Sequence, residues 1–190
     1  CSILSIRNTD GSITPTDSTL HLQGVSEAII YFVNETSYNG FDKHPVTEGA
    51  PYIEKVADDA WHLVNYTYPE LRQRHVNDYK QFFDRTRFIL KGARYDTQRN
   101  TEQQLLDYTK KQEQNPYLEM LYFQFGRYLL ISCSRTPGVP ANLQGLWAPA
   151  RLSPWRGNYT TNINLEENYW PAEVANLSEL TMPVEGLVKA

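Results

Sequence analysis

The hydrophobic period of this chain changes once, and that change divides it. Ile3, Leu4 and Ile6 precede Asn8-Thr9-Asp10-Gly11, a turn signal ending in Asp-Gly. Leu20-His21-Leu22-Gln23 alternates apolar and polar, and Ala28 to Val33 is a β-branched and aromatic run. The spacing therefore predicts three strands within residues 1–35. Past the loop of residues 36–45 the period becomes helical. Ile53, Val56, Ala57, Ala60, Trp61 and Val64 fall at i, i+3, i+4, i+7, i+8 and i+11, one face of an amphipathic helix. Three short strands make no independent sheet, so they are expected to end a β domain that starts before Cys1.

The helical pattern continues to the end. Tyr66-Thr67-Tyr68-Pro69 reads as a break, and a second helix follows with Leu71, His75, Tyr79, Phe82, Phe83 and Thr86 on one face. His75 there reads as a structural histidine. Thr101 with Gln104 three residues on resembles a capping box, which starts a helix running to about Gln114. Asn115-Pro116 opens the most apolar helix, Tyr117 to Ser134, whose apolar residues stand nearly all round and predict burial on more than one side. Cys133 in that run reads as a small core residue, and with Cys1 it makes neither a disulfide framework nor a metal site. Pro171 is expected near the first position of a later helix. Met182-Pro183 is expected to interrupt it, and Val184 to Val188 to begin another.

Between these helices, residues 135–162 form a long loop rich in Pro and Gly, and long ordered loops in compact domains are usually functional. The stretch from Arg135 to Glu173 holds three flat apolar rings, Trp147, Trp155 and Trp170. It also holds the neutral amides Asn142, Gln144, Asn158, Asn162, Asn164 and Asn168, each with a donor and an acceptor end. Amides beside aromatic faces suit an uncharged, polyhydroxylated ligand, of which a carbohydrate is one kind. Phosphate fits poorly, because no glycine-rich loop leads into Lys-Ser/Thr. Metal fits poorly, because the stretch contains no His, and no cofactor is expected. Glu166 and Glu167 are adjacent and cannot flank a glycosidic bond. Trp170 reads as packing; Trp147 and Trp155 read equally as sugar-facing walls or as anchors of the loop. A net charge of -4 without a basic stripe argues against nucleic acid. No apolar run reaches the ~18 residues of a membrane span.

The run P-A-N-L-Q-G-L-W at residues 140–147, P-W at 154–155 and N-I-N-L-E-E-N-Y-W-P-A-E at 162–173 resembles the catalytic-domain signature of glycoside hydrolase family 95. Arg74-His75-Val76-Asn77-Asp78-Tyr79 and Phe83-Asp84-Arg85 are similar to its linker region, and Leu121 to Leu130 to an early helix of its barrel. The resemblance implies a mainly α chain: the last strands of an N-terminal β-sandwich over 1–42, a helical linker over 43–92, and the first part of an (α/α)6 catalytic barrel over 93–190. It implies an inverting exo-glycosidase that removes terminal α-L-fucosyl or α-L-galactosyl residues, with no cofactor. Asn162 and Asn164 would hold the attacking water, on one face if the backbone there is extended. Asn142, Gln144, Trp147, Trp155 and Thr160 would contact the sugar. The family's general-acid glutamate and supporting aspartate stand further downstream, so the rest of the same polypeptide is needed to complete the barrel. Fucose-cleaving members often carry His where Thr160 stands, and L-galactosidase-like members Thr. L-galactose is L-fucose with a hydroxyl added at C6, so Thr160 tilts the expected sugar towards L-galactose. Enzymes of this kind work in the periplasm or outside the cell. The alternative is a carbohydrate-binding or structural helical module that kept the barrel and lost the chemistry.

Overall fold

The computed structural model describes residues 1–190, with four strands and six helices. Residues 2–34 fold back on themselves as one ribbon. β1 (Ser2–Asn8) pairs antiparallel with β4 (Ala28–Asn34), and β2 (Ser12–Pro15) with β3 (Leu20–Gln23). Between the two ladders, residues 9–11 of one arm face residues 24–27 of the other, so the register slips by one as in a bulge. Asn8 to Gly11 is thus the kink of the ribbon and not its hairpin turn. Gly11 sits there at φ +70°, where a Cβ would lie 2.4 Å from the Gln23 carbonyl oxygen. Asp10 stitches the kink, its carboxylate accepting from the Ser26 amide at 2.7 Å and the Ser26 hydroxyl at 2.6 Å. The hairpin turn lies at Thr16–Thr19, where the Thr16 amide donates to the Thr19 carbonyl at 2.8 Å. β2 escapes sequence reading because Ile13 is its sole apolar side chain, which leaves no alternation to see.

The chain divides into two compact units, Cys1–Val76 and Asn77–Ala190. In the first, α1 (Tyr52–Leu63) packs on β1 and β4. Tyr31 and Val56 are its most buried side chains, and the Tyr31 hydroxyl donates to the Tyr66 carbonyl at 3.1 Å. The opposite face of the ribbon is open: Leu4 stands across from Phe32, and both are exposed, as is Ile30. α1 forms where the spacing predicts, yet Ile53 and Trp61 on that stripe are exposed. α2 (Tyr68–Phe83) starts one residue after Thr67. The Glu70 carboxylate accepts from the Thr67 amide at 2.8 Å and its hydroxyl at 2.7 Å, a Thr-x-x-Glu capping box inside the segment read as a break. His75 is exposed rather than set into an apolar face. The division between the units falls within α2.

In the second unit, α3 (Thr101–Lys111) is capped one residue earlier than expected. The Asn100 side chain accepts from the Gln103 amide at 2.8 Å, so Thr101 is the first helical residue and not the cap. Gln104 serves neither as cap nor as box partner. It is buried, donating to the Arg99 carbonyl at 2.9 Å and accepting from Asn115 Nδ2 at 3.0 Å. The helix stops at Lys111 because Gln112 turns left-handed, φ 54°, short of Gln114. α4 (Pro116–Cys133) begins as predicted, with Asn115 accepting from the Leu118 amide at 3.0 Å and Pro116 in the first turn. Burial changes side along its length. Leu118, near the start, is buried on the side where Tyr122 and Phe125 are exposed further on, while Arg127, Leu130 and Ile131 are buried on the opposite side, so the helix is covered on more than one side but not all along. Cys133 is half-buried, and burial pushes its thiol pKa up.

The core of this unit joins Leu130 and Ile131 to Ala172, Ala175, Leu177 and Leu180, with Phe82, Phe83, Phe123 and Tyr169 packed against them. Arg127 lies within it, 2% exposed. Its guanidinium donates to the carbonyls of Phe82, Phe83 and Thr86 at 2.9–3.1 Å, satisfying the C-terminal end of α2. α5 (Asn164–Val174) begins seven residues before Pro171, which stands inside it rather than near its start. Trp170 is exposed and not packed. α6 (Met182–Lys189) starts at Met182, so Met182-Pro183 opens a helix instead of breaking one; Pro183 sits in the first turn, where a missing amide costs nothing. The helices make the chain mainly α. No helix is long and apolar enough to cross a membrane.

Candidate functional site

The site starts from the end of the long loop and the beginning of α5. Asn162 and Asn164 are not joined by extended backbone. Ile163 between them has φ 64° and ψ -46°, and the Asn164 amide donates to the Asn162 carbonyl at 2.8 Å. This is a γ-turn of the strained, positive-φ kind, and a β-branched residue adopts it rarely. The turn makes Asn164 the first residue of α5 and leaves Asn162 exposed just before it. Four of the six non-glycine residues with positive φ fall in this short span: Trp155, Arg156, Thr160 and Ile163. Such clusters persist only where surrounding structure imposes them, and they concentrate at functional sites.

From α5, one turn past Asn164, two side chains hold the preceding loop. Asn168 Nδ2 donates to the Asn142 carbonyl at 3.1 Å, and the Tyr169 hydroxyl accepts from the Ala141 amide at 2.7 Å. The loop then ties itself together. Asn142 Oδ1 accepts from the Gln144 amide at 3.0 Å, and the Leu143 amide donates to the Asn158 carbonyl at 3.3 Å. Gln144 Nε2 donates to the Pro154 carbonyl at 2.8 Å, bridging the two arms. With its nitrogen committed, Gln144 turns its Oε1 the other way, where it is buried and meets no donor within the protein.

These bonds frame an open pocket of about 270 Å³, lined by Leu143, Gln144, Trp155, Thr160 and Asn164. Its size is just under the ~300–1,000 Å³ usual for small-molecule sites. Of the seven residues singled out from sequence, four come together here. Asn142 commits its Oδ1 to the loop turn, and neither it nor Asn162 is in the lining. Trp147 is also outside, its ring 3.2 Å from where a Gly145 Cβ would be and 6.2 Å from the Tyr128 ring. Trp147 is 42% exposed. Trp155 is 72% exposed and stands as a free aromatic wall.

The lining is neutral: two amides, a hydroxyl, an indole and an aliphatic chain. It can accept and donate hydrogen bonds and orient water, but none of the five residues can protonate a leaving group at neutral pH. Glu166 and Glu167 are exposed in the first turn of α5, where the helix dipole favours carboxylates. Arg135 pairs with Asp78 through two hydrogen bonds of 2.5 and 2.8 Å and lies 4.8 Å from the Phe82 ring centre, a structural role outside the pocket. Sequence reasoning missed the work of Tyr169 and gave Asn168 no role. The available signal was the i, i+4 spacing of Asn164 and Asn168, which sets both on one face of a helix.

Residues 67–190 match the glycosyl hydrolase family 95 catalytic domain. The chain belongs to glycosyl hydrolase family 95. It is 36% identical over 166 residues to a probable alpha-fucosidase A of Aspergillus niger, a match covering 85% of this chain and 21% of that protein. A probable alpha-fucosidase A of Aspergillus oryzae is 37% identical over 136 residues, 71% of this chain and 18% of its own length. Alpha-L-fucosidase 2 of Arabidopsis thaliana is 31% identical over 190 residues, 96% of this chain and 22% of its own length. The chain thus spans about a fifth of the length of the curated relatives it matches. The family 95 match takes in α2 to α6 and the whole pocket.

Proposed function

We propose that this chain supplies one wall of the active site of an exo-acting, inverting glycosidase that removes terminal α-L-fucosyl or α-L-galactosyl residues. The observation that carries the reading is the neutral pocket of Gln144, Trp155, Thr160 and Asn164 within the family 95 match, in a protein similar to named fucosidases. An uncharged sugar offers hydroxyls to the amides and C–H faces to the indole. Asn164, with Asn162 beside it, orients the water that attacks the anomeric carbon. An amide carbonyl is a weak base, so a carboxylate elsewhere in the protein takes up the proton, and a second carboxylic acid protonates the leaving oxygen. Thr160, in the pocket lining, is the residue assigned to sense the C6 substituent, and Asn142 and Trp147 support the sugar through the loop. In this reading residues 1–42 end a β-sandwich, 43–92 link it to the barrel, and 93–190 begin an (α/α)6 barrel closed by the rest of the polypeptide. The enzyme acts in the periplasm or outside the cell.

The test is hydrolysis of nitrophenyl α-L-fucoside and α-L-galactoside by the intact protein, with Asn164→Ala alongside. Turnover that falls at least ~100-fold in the variant is expected. Proton NMR of the first-formed sugar reads the anomer, and inversion gives the β form. Sugar binding without turnover would instead make the protein a carbohydrate-binding module.

A further inference from the structure

We infer that Tyr169 and Asn168 are positioning residues for the pocket: from the body of α5 they fix the Ala141–Asn142 backbone so that Gln144 lies across the pocket from Asn164. The inference rests on the sugar-site reading above.

The hydrogen bonds around Tyr169 have one possible direction. The Ala141 amide can only donate, so the phenolic oxygen accepts, at 2.7 Å. The Leu180 carbonyl can only accept, so the Ser134 hydroxyl donates to it, at 2.7 Å. The Tyr169 hydroxyl then donates to Ser134 Oγ across the remaining 2.7 Å. One ordered relay, Ala141 to Tyr169 to Ser134 to Leu180, ties the loop through α5 to the end of α4 and to the turn before α6. Burial pushes the Tyr169 pKa up, which keeps the phenol protonated as the relay requires. Ser134 is fully buried and Ala141 nearly so, which shields two of the partners from solvent.

Asn168 works one residue upstream. Its Nδ2 reaches the Asn142 carbonyl, which also accepts from the Gly145 amide at 3.1 Å. Two consecutive residues of α5 thus hold two consecutive residues of the loop. Gln144 lies two residues further on and is locked by the Asn142 side chain and the Pro154 carbonyl. Asn164, one helical turn before Asn168, lines the same pocket. The distance from Gln144 to Asn164 is therefore set by the clamp. Neither Asn168 nor Tyr169 is part of the pocket lining.

Tyr169→Phe keeps the ring in the core and removes only the relay. Asn168→Asp keeps the shape and sets a carboxylate against the carbonyl it held. In the intact protein, each is expected to raise KM for the sugar that the wild type hydrolyses by ~10-fold, with kcat changed less than about threefold. In a Gln144→Ala background, Tyr169→Phe is expected to add less than about twofold, because both act through the same contact. Hydrogen exchange at the amides of residues 141–145 is expected to quicken in both variants. Unchanged KM, with only a lower melting midpoint or a smaller active fraction, would overturn the inference. So would full additivity with Gln144→Ala, or failure of both variants to fold, which would assign the pair to the core alone. Absence of wild-type turnover is a different failure: it removes the enzyme reading, and the inference with it.

Discussion

Two residues show what single positions contribute. Arg127 is a cation placed where the core needs donors, and its desolvation, which draws its pKa down, is offset by four acceptors. Arg127→Met fills the volume but strips the last carbonyls of α2. The expected cost is ~1–3 kcal/mol for each buried carbonyl left without a donor, read from the denaturant midpoint of the intact protein, and Arg127→Lys restores little because one ammonium cannot reach three carbonyls. Ile163 shows the opposite bargain. Its positive φ stores ~1–3 kcal/mol of strain between the two candidate catalytic amides. Ile163→Gly is expected to hold or raise the melting midpoint while turnover falls, since the turn that sets Asn162 against Asn164 is then one conformation among several. Equal loss of stability and activity would show that the isoleucine side chain, not the turn, matters there.

At the scale of elements, α3 has the clearest local logic. Asn100→Ala is expected to cost ~1 kcal/mol and Thr101→Ala much less, in thermal or urea melts. The same helix carries a charge cluster: Arg99 bonds to Asp96, Asp107 and Glu113 at 2.6–2.9 Å, and Lys111 to Asp107 at 2.7 Å. Lys111 and Arg99 hold the Asp107 carboxyl down to about 2, and Arg99 lowers Asp96 and Glu113 as well. These pKa values are depressed in the folded chain. The stability they contribute is therefore present above the ordinary carboxylate range and disappears as pH falls from about 4 through about 2. Asp107→Asn should flatten the fall in melting midpoint over that window and leave the change between pH 6 and 8 untouched. An unaltered acid limb would place the acid sensitivity elsewhere.

For the whole molecule, the decisive quantity is uncovered apolar surface. Leu4, Ile30 and Phe32 on the ribbon, and Tyr122, Phe125, Trp170 and Val174 among the later helices, are exposed. Faces of this kind are interaction surfaces or aggregation hazards. The 190-residue chain expressed alone is expected to self-associate and to lack a sharp melting transition, while the intact protein stays dispersed. Sedimentation and scanning calorimetry check this; a monomer that melts cooperatively would show that the chain needs no cover.

The sequence by itself determined what lies within reach of a few residues. The switch of period near residue 45 separates ribbon from helices, Asn115-Pro116 opens α4, and the Asn–Trp loop supplies most of the lining of the pocket. Each depends on local propensity, capping chemistry or residue type, which neighbouring residues suffice to express. Tertiary structure alone decided the rest. β2 exists because β3 pairs with it, not because its residues alternate. Asn100 rather than Thr101 caps α3 because Gln104, the expected box partner, is drawn into contacts with Arg99 and Asn115. Asn162 and Asn164 flank a γ-turn rather than an extended segment, since long-range bonds from Asn168 and Tyr169 fix α5 against the loop. A strained backbone or a buried polar relay is stable only when distant parts of the chain hold it, so no short stretch of sequence announces it.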